Sequence, residues 1–123
     1  MILVDTSIWI DHLRTADSPL SPLLLSNSVF THPWIIGELA CGNLANRAEI
    51  LGLLQSLPKL PAATEGEVLH LIEHRQLMEK GIGYIDAHLV AAAIIHAAHI
   101  WTRDKRLKAI TDQLDLTYTP NNH

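Results

Sequence analysis

Short apolar runs that stop at a polar residue alternate along this chain with longer segments whose apolar positions recur every three or four residues. That alternation predicts strands followed by helices. Met1-Ile2-Leu3-Val4 predicts a first strand, and Asp5-Thr6-Ser7 breaks it. Thr6 or Ser7 can then cap a short helix carrying Ile8, Trp9, Ile10 and Leu13. Ser18-Pro19 and Ser21-Pro22 are cap-then-proline signals that open a leucine-rich helix through Leu25. Val29-Phe30-Thr31 predicts a second strand, and Pro33 suits the first position of a helix with Glu38 inside it.

Further along, Ile50, Leu53, Leu54 and Leu57 give the segment 46–57 a helical period. Pro58 and Pro61 bracket Lys59-Leu60, which allows a short strand but not a well-paired central one. Thr64-Glu65-Gly66-Glu67 has the form of a capping box, opening a helix expected to reach about Lys80 before Gly81-Ile82-Gly83. From Asp86 to His99 the chain is apolar on nearly every side, as in a helix packed on both faces. His99 to Thr102 predicts a strand, Lys105 to Leu114 a helix, and Leu116-Thr117-Tyr118 a last short strand. Strands alternating with helices imply parallel pairing and right-handed crossovers. The expectation is one three-layer α/β domain over 1–119, a central mainly parallel sheet flanked by helices, with 120–123 a frayed tail.

Composition narrows the class. A chain of 123 residues with 48% hydrophobic content suits one domain with a proper core and excludes disorder. The single cysteine, Cys41, cannot form an internal disulfide and reads as a small buried hydrophobe in a reducing compartment. Met1 to Val4 lacks the basic flank of a secretory signal, and Leu89 to Ile95 is too short to span a bilayer. The expected location is the cytoplasm, with no membrane partner.

Net charge is −4, which argues against a general nucleic-acid coat. Four acids could account for all of it: Asp5 closing the first strand, Glu38 inside an apolar helix, Asp86 opening another, and Asp104 just past Ile100-Trp101-Thr102. Charge in such surroundings is costly unless a cation or several donors compensate it. In an open parallel sheet the useful edge lies beyond the carboxyl ends of the strands. Asp5 and Asp104 fall there directly. Asp86, at the start of the helix feeding the third strand, and Glu38, in the helix after the second, can face the same edge. Acids gathered from separate elements build oxygen-rich sites for Mg²⁺ or Mn²⁺. Singly, Asp86 and Asp104 would also serve as helix-start acids. Glu65, Glu67, Glu73 and Glu79 read as a solvated helix face, and Asp17, Asp112 and Asp115 as turn residues.

The segments Val4-Asp5-Thr6-Ser7, Gly37-Glu38-Leu39, Gly83-Tyr84-Ile85-Asp86-Ala87 and Trp101-Thr102-Arg103-Asp104-Lys105-Arg106-Leu107 resemble PIN-domain ribonucleases, above all the VapC toxins of toxin–antitoxin pairs. The likeness covers essentially the whole chain. It implies that Asp5, Glu38, Asp86 and Asp104 are the catalytic quartet holding Mg²⁺ or Mn²⁺, with Thr6, Ser7 and Thr102 supporting them through hydrogen bonds. It further implies a PIN fold, a homodimer, a structured RNA substrate such as tRNA or rRNA cut at a loop, and neutralisation by a VapB-like antitoxin. Lys105-Arg106 stand where many relatives carry another acid, which leaves one or two ions open. Arg103, Lys105, Arg106 and Lys108 are the candidates for holding phosphates, and Tyr84 for a contact near the site.

Other assignments compete. His70-Leu71-Ile72-Glu73-His74 is a literal H-x-x-E-H, the pattern of inverted zinc proteases. Against it, no Glu follows Glu79 to complete the ligands, the chain is small for a protease, and the histidines lie opposite a stripe of Val68, Leu69, Ile72 and Met78. A phosphate-accepting receiver domain would pair acids at the first strand, whereas Asp5 is followed by Thr6. A catalytically weak PIN module that only binds RNA or a partner keeps the same fold. Trp9 and Trp101 read as core or interface, and His12, His32 and His88 as structural groups that could edge the pocket.

Overall fold

The computed structural model describes residues 1–15 and 18–120. Its centre is β1 (Ile2–Val4), flanked in a parallel sheet by β2 (Val29–Phe30) and β3 (His99–Trp101), in the order β2-β1-β3. Leu3, Val4 and Ile100 are fully buried, as a central parallel strand and its neighbour require. The register pairs Ile2 with Val29 and His99, Leu3 with Phe30 and Ile100, and Val4 with Trp101. Position 5 therefore emerges from the sheet beside position 102. The expected outer strands are single parallel bridges, Thr31 with Lys59 and Ile100 with Thr117. Pro58 and Pro61 explain the first, since neither has an N–H to extend the ladder.

Among the described residues, seven helices surround the sheet: α1 (Thr6–Arg14), α2 (Leu20–Leu25), α3 (Pro33–Ala40), α4 (Arg47–Ser56), α5 (Glu65–Arg75), α6 (Tyr84–His96) and α7 (Lys105–Gln113). Asp5, not Thr6 or Ser7, stands at the N-cap of α1. Pro33 occupies the first turn of α3 as expected, and the cap before it is His32, whose Nδ1 accepts the Trp34 N–H at 3.1 Å. The capping box of α5 is complete: the Glu67 N–H donates to Thr64 Oγ1 at 3.1 Å and the Thr64 N–H to Glu67 Oε1 at 2.8 Å. Trp9 and Trp101 belong to the core.

Several local expectations need correction. α5 stops at Arg75 instead of running to Lys80, because Gln76 turns left-handed with φ 54°. A 3-10 turn over Leu77–Glu79 follows and delivers Leu77 into the core. The buried stripe of α5 is Val68 and Leu71, with Ile72 partly covered, while Leu69 and Met78 are exposed. α6 begins at Tyr84 and is not packed on both faces throughout, since Ile94 and Ile95 face outward. Cys41 is exposed, because the core side of α3 is taken by Ile35, Ile36 and Leu39. Asp17 and 121–123 of the expected tail lie outside the described residues. Among the described residues, no helix is long and apolar enough to cross a membrane.

The turn at Gln76 yields a prediction. A side chain in the left-handed region costs about 1 kcal/mol that glycine avoids. Gln76→Gly is expected to raise the melting temperature by a few degrees. A calorimetric scan showing a lower one would mean that the Gln76 side chain contributes more than the turn costs.

Candidate metal centre

Parallel register creates the heart of the site. Because Val4 pairs with Trp101, the Asp5 N–H continues the ladder to the Trp101 carbonyl at 3.0 Å, and the Asp5 carboxylate meets Thr102. Thr102 Oγ1 donates to Asp5 Oδ2 at 2.7 Å, and Ser7 Oγ donates to the same oxygen at 2.9 Å. Both hydroxyls also accept from the segment leaving β3: Ser7 from the Arg103 N–H and Thr102 from the Asp104 N–H, each at 3.0 Å. With each hydroxyl hydrogen committed to Asp5, this buried carboxylate receives two donors on one oxygen. That explains why Asp5 occupies an N-cap position and yet makes no side-chain cap.

Glu38 and Asp104 are held by the same device. Glu38, in the second turn of α3, accepts from Thr6 Oγ1 on Oε1 at 3.0 Å. Asp104 caps α7 through Oδ1, which accepts from the Arg106 and Leu107 N–H groups at 2.9 and 3.1 Å. In Asp5, Glu38 and Asp104, one oxygen is thus anchored while the described residues give the other no hydrogen bond. Asp86 comes from the first turn of α6, which starts at this edge and leads back to β3. Its carboxyl is pushed up to about 6, first by burial and then by the negative charges of Asp5, Asp104 and Glu38, with the Gly83 backbone opposing. The four acids form one electrostatic unit.

They are not yet a coordination cage. Among the described residues, no three His, Cys, Asp or Glu side chains stand close enough together to hold one ion. The donor chemistry nevertheless fits a hard divalent cation: all four donors are carboxylates, three present an unengaged oxygen, and the fourth is destabilised by the others. A cation would offset both the burial and, after it, the neighbouring charges that raise the Asp86 carboxyl.

Of the basic candidates, Arg103 is bound to Asp11, and Lys108 to Asp112 at 3.1 Å. Arg106 lies over Gly81 and donates to its carbonyl at 3.3 Å. Lys105 is exposed on the first turn of α7. A phosphate must therefore compete for Arg103 and Lys108. Tyr84 stands exposed at the start of α6.

The histidines divide. His70 and His74 stack in parallel at 5.6 Å, exposed along a groove that α5 shares with Ala91, Ile94 and Ile95 of α6, and the near-parallel rings direct their in-plane lone pairs along parallel planes instead of at one ion. His12 bonds Ser18 Oγ at 2.9 Å and sits edge-on to Trp9. His32 is fully buried, and burial followed by the nearness of His88 pushes its pKa down to about 4. Sequence reasoning missed the partnership of buried His88 with Trp34, whose rings stack at 4.7 Å. The only advance signal was the helical spacing of Tyr84 and His88.

Thr102 carries a testable load. Thr102→Val removes one of two donors to Asp5 and the acceptor for the Asp104 N–H. Affinity for Mn²⁺ is expected to fall roughly ten- to a hundredfold, as for groups that orient metal ligands, and Thr102→Ser should restore most of it. Equal affinities for the valine and serine variants would show that the hydroxyl is idle.

The fold has known relatives. The family model described as PIN domain matches residues 2–113. The chain is 48% identical over 110 residues, 89% of each protein, to a protein named Ribonuclease VapC32 in two strains of Mycobacterium tuberculosis. Among solved structures, a toxin-antitoxin complex from Klebsiella pneumoniae superposes with TM-score 0.71 at 17% identity, covering all of both chains. FitAcB from Neisseria gonorrhoeae superposes with TM-score 0.61 at 19% identity, over 91% of this chain and 94% of that one. At such identities the two structures speak for the fold alone.

Proposed function

This chain belongs to the PIN-domain family and, within it, to the VapC proteins, and from that premise we propose that it is a metal-dependent endoribonuclease acting as a toxin. The single observation carrying this reading is the anchoring of Asp5, Glu38 and Asp104 by one oxygen each at the carboxyl edge of the sheet, with Asp86, raised first by burial and then by their charges, entering from the first turn of α6. Those four would hold Mg²⁺ or Mn²⁺. When bound, such a cation lowers the pKa of water and offsets charge on a phosphoryl group in flight.

The protein's own part is positioning. Thr6, Ser7, Thr102 and the first turn of α7 each fix one carboxylate oxygen, so the site loses little order when it closes on a charged ligand. Lys105, and Arg103, Arg106 and Lys108 once released from their present partners, would meet phosphates flanking the cut. No His or Cys nucleophile is needed, and a covalent intermediate is not expected. The substrate is a structured cellular RNA, tRNA or rRNA, opened at a loop where bases are free of a deep A-form groove. The name of the relative, Ribonuclease VapC32, supports an RNA substrate, and membership among the VapC proteins supports a partner that neutralises it. That partner would be a VapB-like antitoxin, the assembly a homodimer and the location the cytoplasm.

Incubation of the purified protein with total cellular RNA, followed by mapping of new 5′ ends, tests the reading. The expected result is a few discrete loop cuts that require Mg²⁺ or Mn²⁺ and vanish with EDTA. Cuts that persist in EDTA, or none at all, would overturn it.

A further inference from the structure

Beside the acids lies an aromatic surface that the core does not explain. Trp34 is 38% exposed and Tyr84 42% exposed, although both are large apolar groups next to a well-filled interior. They are not loose. The Trp34 indole stacks on His88 at 4.7 Å and 19°, and Tyr84 meets the same imidazole edge-on at 4.7 Å and 86°. Trp34 and Tyr84 stand 6.1 Å apart, nearly perpendicular. His88 itself is buried, and the Trp34 backbone is pinned by its N–H bond to fully buried His32. The result is a rigid aromatic corner with an open side.

Its place in the fold gives it a use. Trp34 and Glu38 are one helical turn apart on α3, so indole and carboxylate share a face. Both line an open groove of about 420 Å³ with Pro33, Gly37, Cys41 and Ile85. A side chain at Gly37 would meet nothing within 4 Å, so the groove floor between indole and carboxylate is clear. On α6, Tyr84 and Asp86 share the first turn but point to different faces of it, and Ile85 between them lines the groove that holds Trp34 and Glu38.

We infer that Trp34 and Tyr84, backed by His88, form a stacking shelf for the unpaired RNA base next to the scissile phosphate. The inference rests on the nuclease reading and adds to it which part of the RNA is gripped and by what. Flat apolar plates strung on an anionic backbone match an apolar aromatic corner that adjoins a site for a phosphate-bridging cation. Stacking on such rings tolerates every base, so the shelf demands that the base be unpaired and leaves sequence to other contacts. Because the corner is already ordered, little freedom is lost when a base docks.

The test measures equilibrium binding and cleavage of a hairpin RNA whose loop contains the cut, intact or with an abasic nucleotide beside the cut bond. Trp34→Ala is expected to weaken binding by roughly tenfold to a hundredfold, with Trp34→Phe close to wild type. The abasic nucleotide should cost wild type a similar factor and cost Trp34→Ala nothing further, the signature of two partners in one contact. An abasic penalty that persists undiminished in Trp34→Ala overturns the shelf. So does a Trp34→Ala protein that merely falls from dimer to monomer while keeping that penalty, which would assign the face to a second copy. Failure of the nuclease reading is seen separately, as wild-type protein that cuts no RNA. In that case binding of a short unpaired RNA without quenching of Trp34 fluorescence, judged against Trp34→Phe, overturns the shelf as well.

Discussion

Replacing Asp5 by asparagine is expected to lower RNA cleavage roughly a thousandfold or more while leaving the protein folded. Asparagine has nearly the same shape, and its carbonyl can still accept from Ser7 and Thr102, the two donors that hold the aspartate. What it lacks is the charge. Its amide hydrogens would face Asp86, Glu38 and Asp104, which reduces the crowding of negative charge instead of adding to it. A thermal melt should therefore stay within a few degrees of wild type. The pair of results matters more than either alone, because loss of cleavage with loss of fold would say nothing of chemistry. Asp5→Asn protein that cleaves at the wild-type rate would remove Asp5 from the site.

Asp86 should behave in the opposite way toward stability. Its folded pKa of about 6 lies above the ordinary carboxylate value, so ionising it opposes folding. Stability tied to this group is fully present below about pH 4, is lost as pH rises toward 6, and stays lost at neutral pH. After allowance for solvent screening of a partly exposed group, the loss is about 1–2 kcal/mol. Asp86→Asn is therefore expected to melt several degrees above wild type at pH 7.5 without divalent metal, and to match it near pH 4. Mg²⁺ should raise the wild-type melting temperature at pH 7.5 and have little effect on the variant. A variant whose stability relative to wild type is the same at both pH values, or lower at pH 7.5, would show that Asp86 is not under electrostatic load. The same substitution should abolish cleavage, so stability and activity move in opposite directions at this position.

Much of this site is legible in the sequence because parallel strands end where their charges begin. Asp5 follows Val4, Thr102 follows Trp101, and the Val4–Trp101 register brings the two together. The capping box at Thr64 and the proline at position 33 are local signals that tertiary structure had no reason to override. Other features depend on contacts that no local pattern contains. Gln76 turns left-handed to bring Leu77 inward, and a glutamine gives no warning of it. Ile94 and Ile95 extend an apolar run yet face outward, because burial follows what lies opposite a helix as well as what is on it. The caps at Asp5 and Asp104 look alike in sequence, but only Asp104 caps its helix with its side chain, since Ser7 and Thr102 draw the Asp5 carboxylate away. The aromatic corner was divided in the sequence among Trp34, Tyr84 and His88, and only α3 lying beside α6 unites it.

The proposed chemistry requires that carboxylates from α3, α6 and the ends of β1 and β3 jointly capture a divalent cation. Titration of Mn²⁺ into the purified protein, followed by the loss of its free-ion paramagnetic resonance signal, measures this without any RNA. Wild type should bind, and Asp5→Asn, Glu38→Gln, Asp86→Asn and Asp104→Asn should each weaken binding about tenfold or more, while Glu73→Gln on the far face of α5 changes nothing. Binding that survives intact in two or more of the four variants would contradict the account.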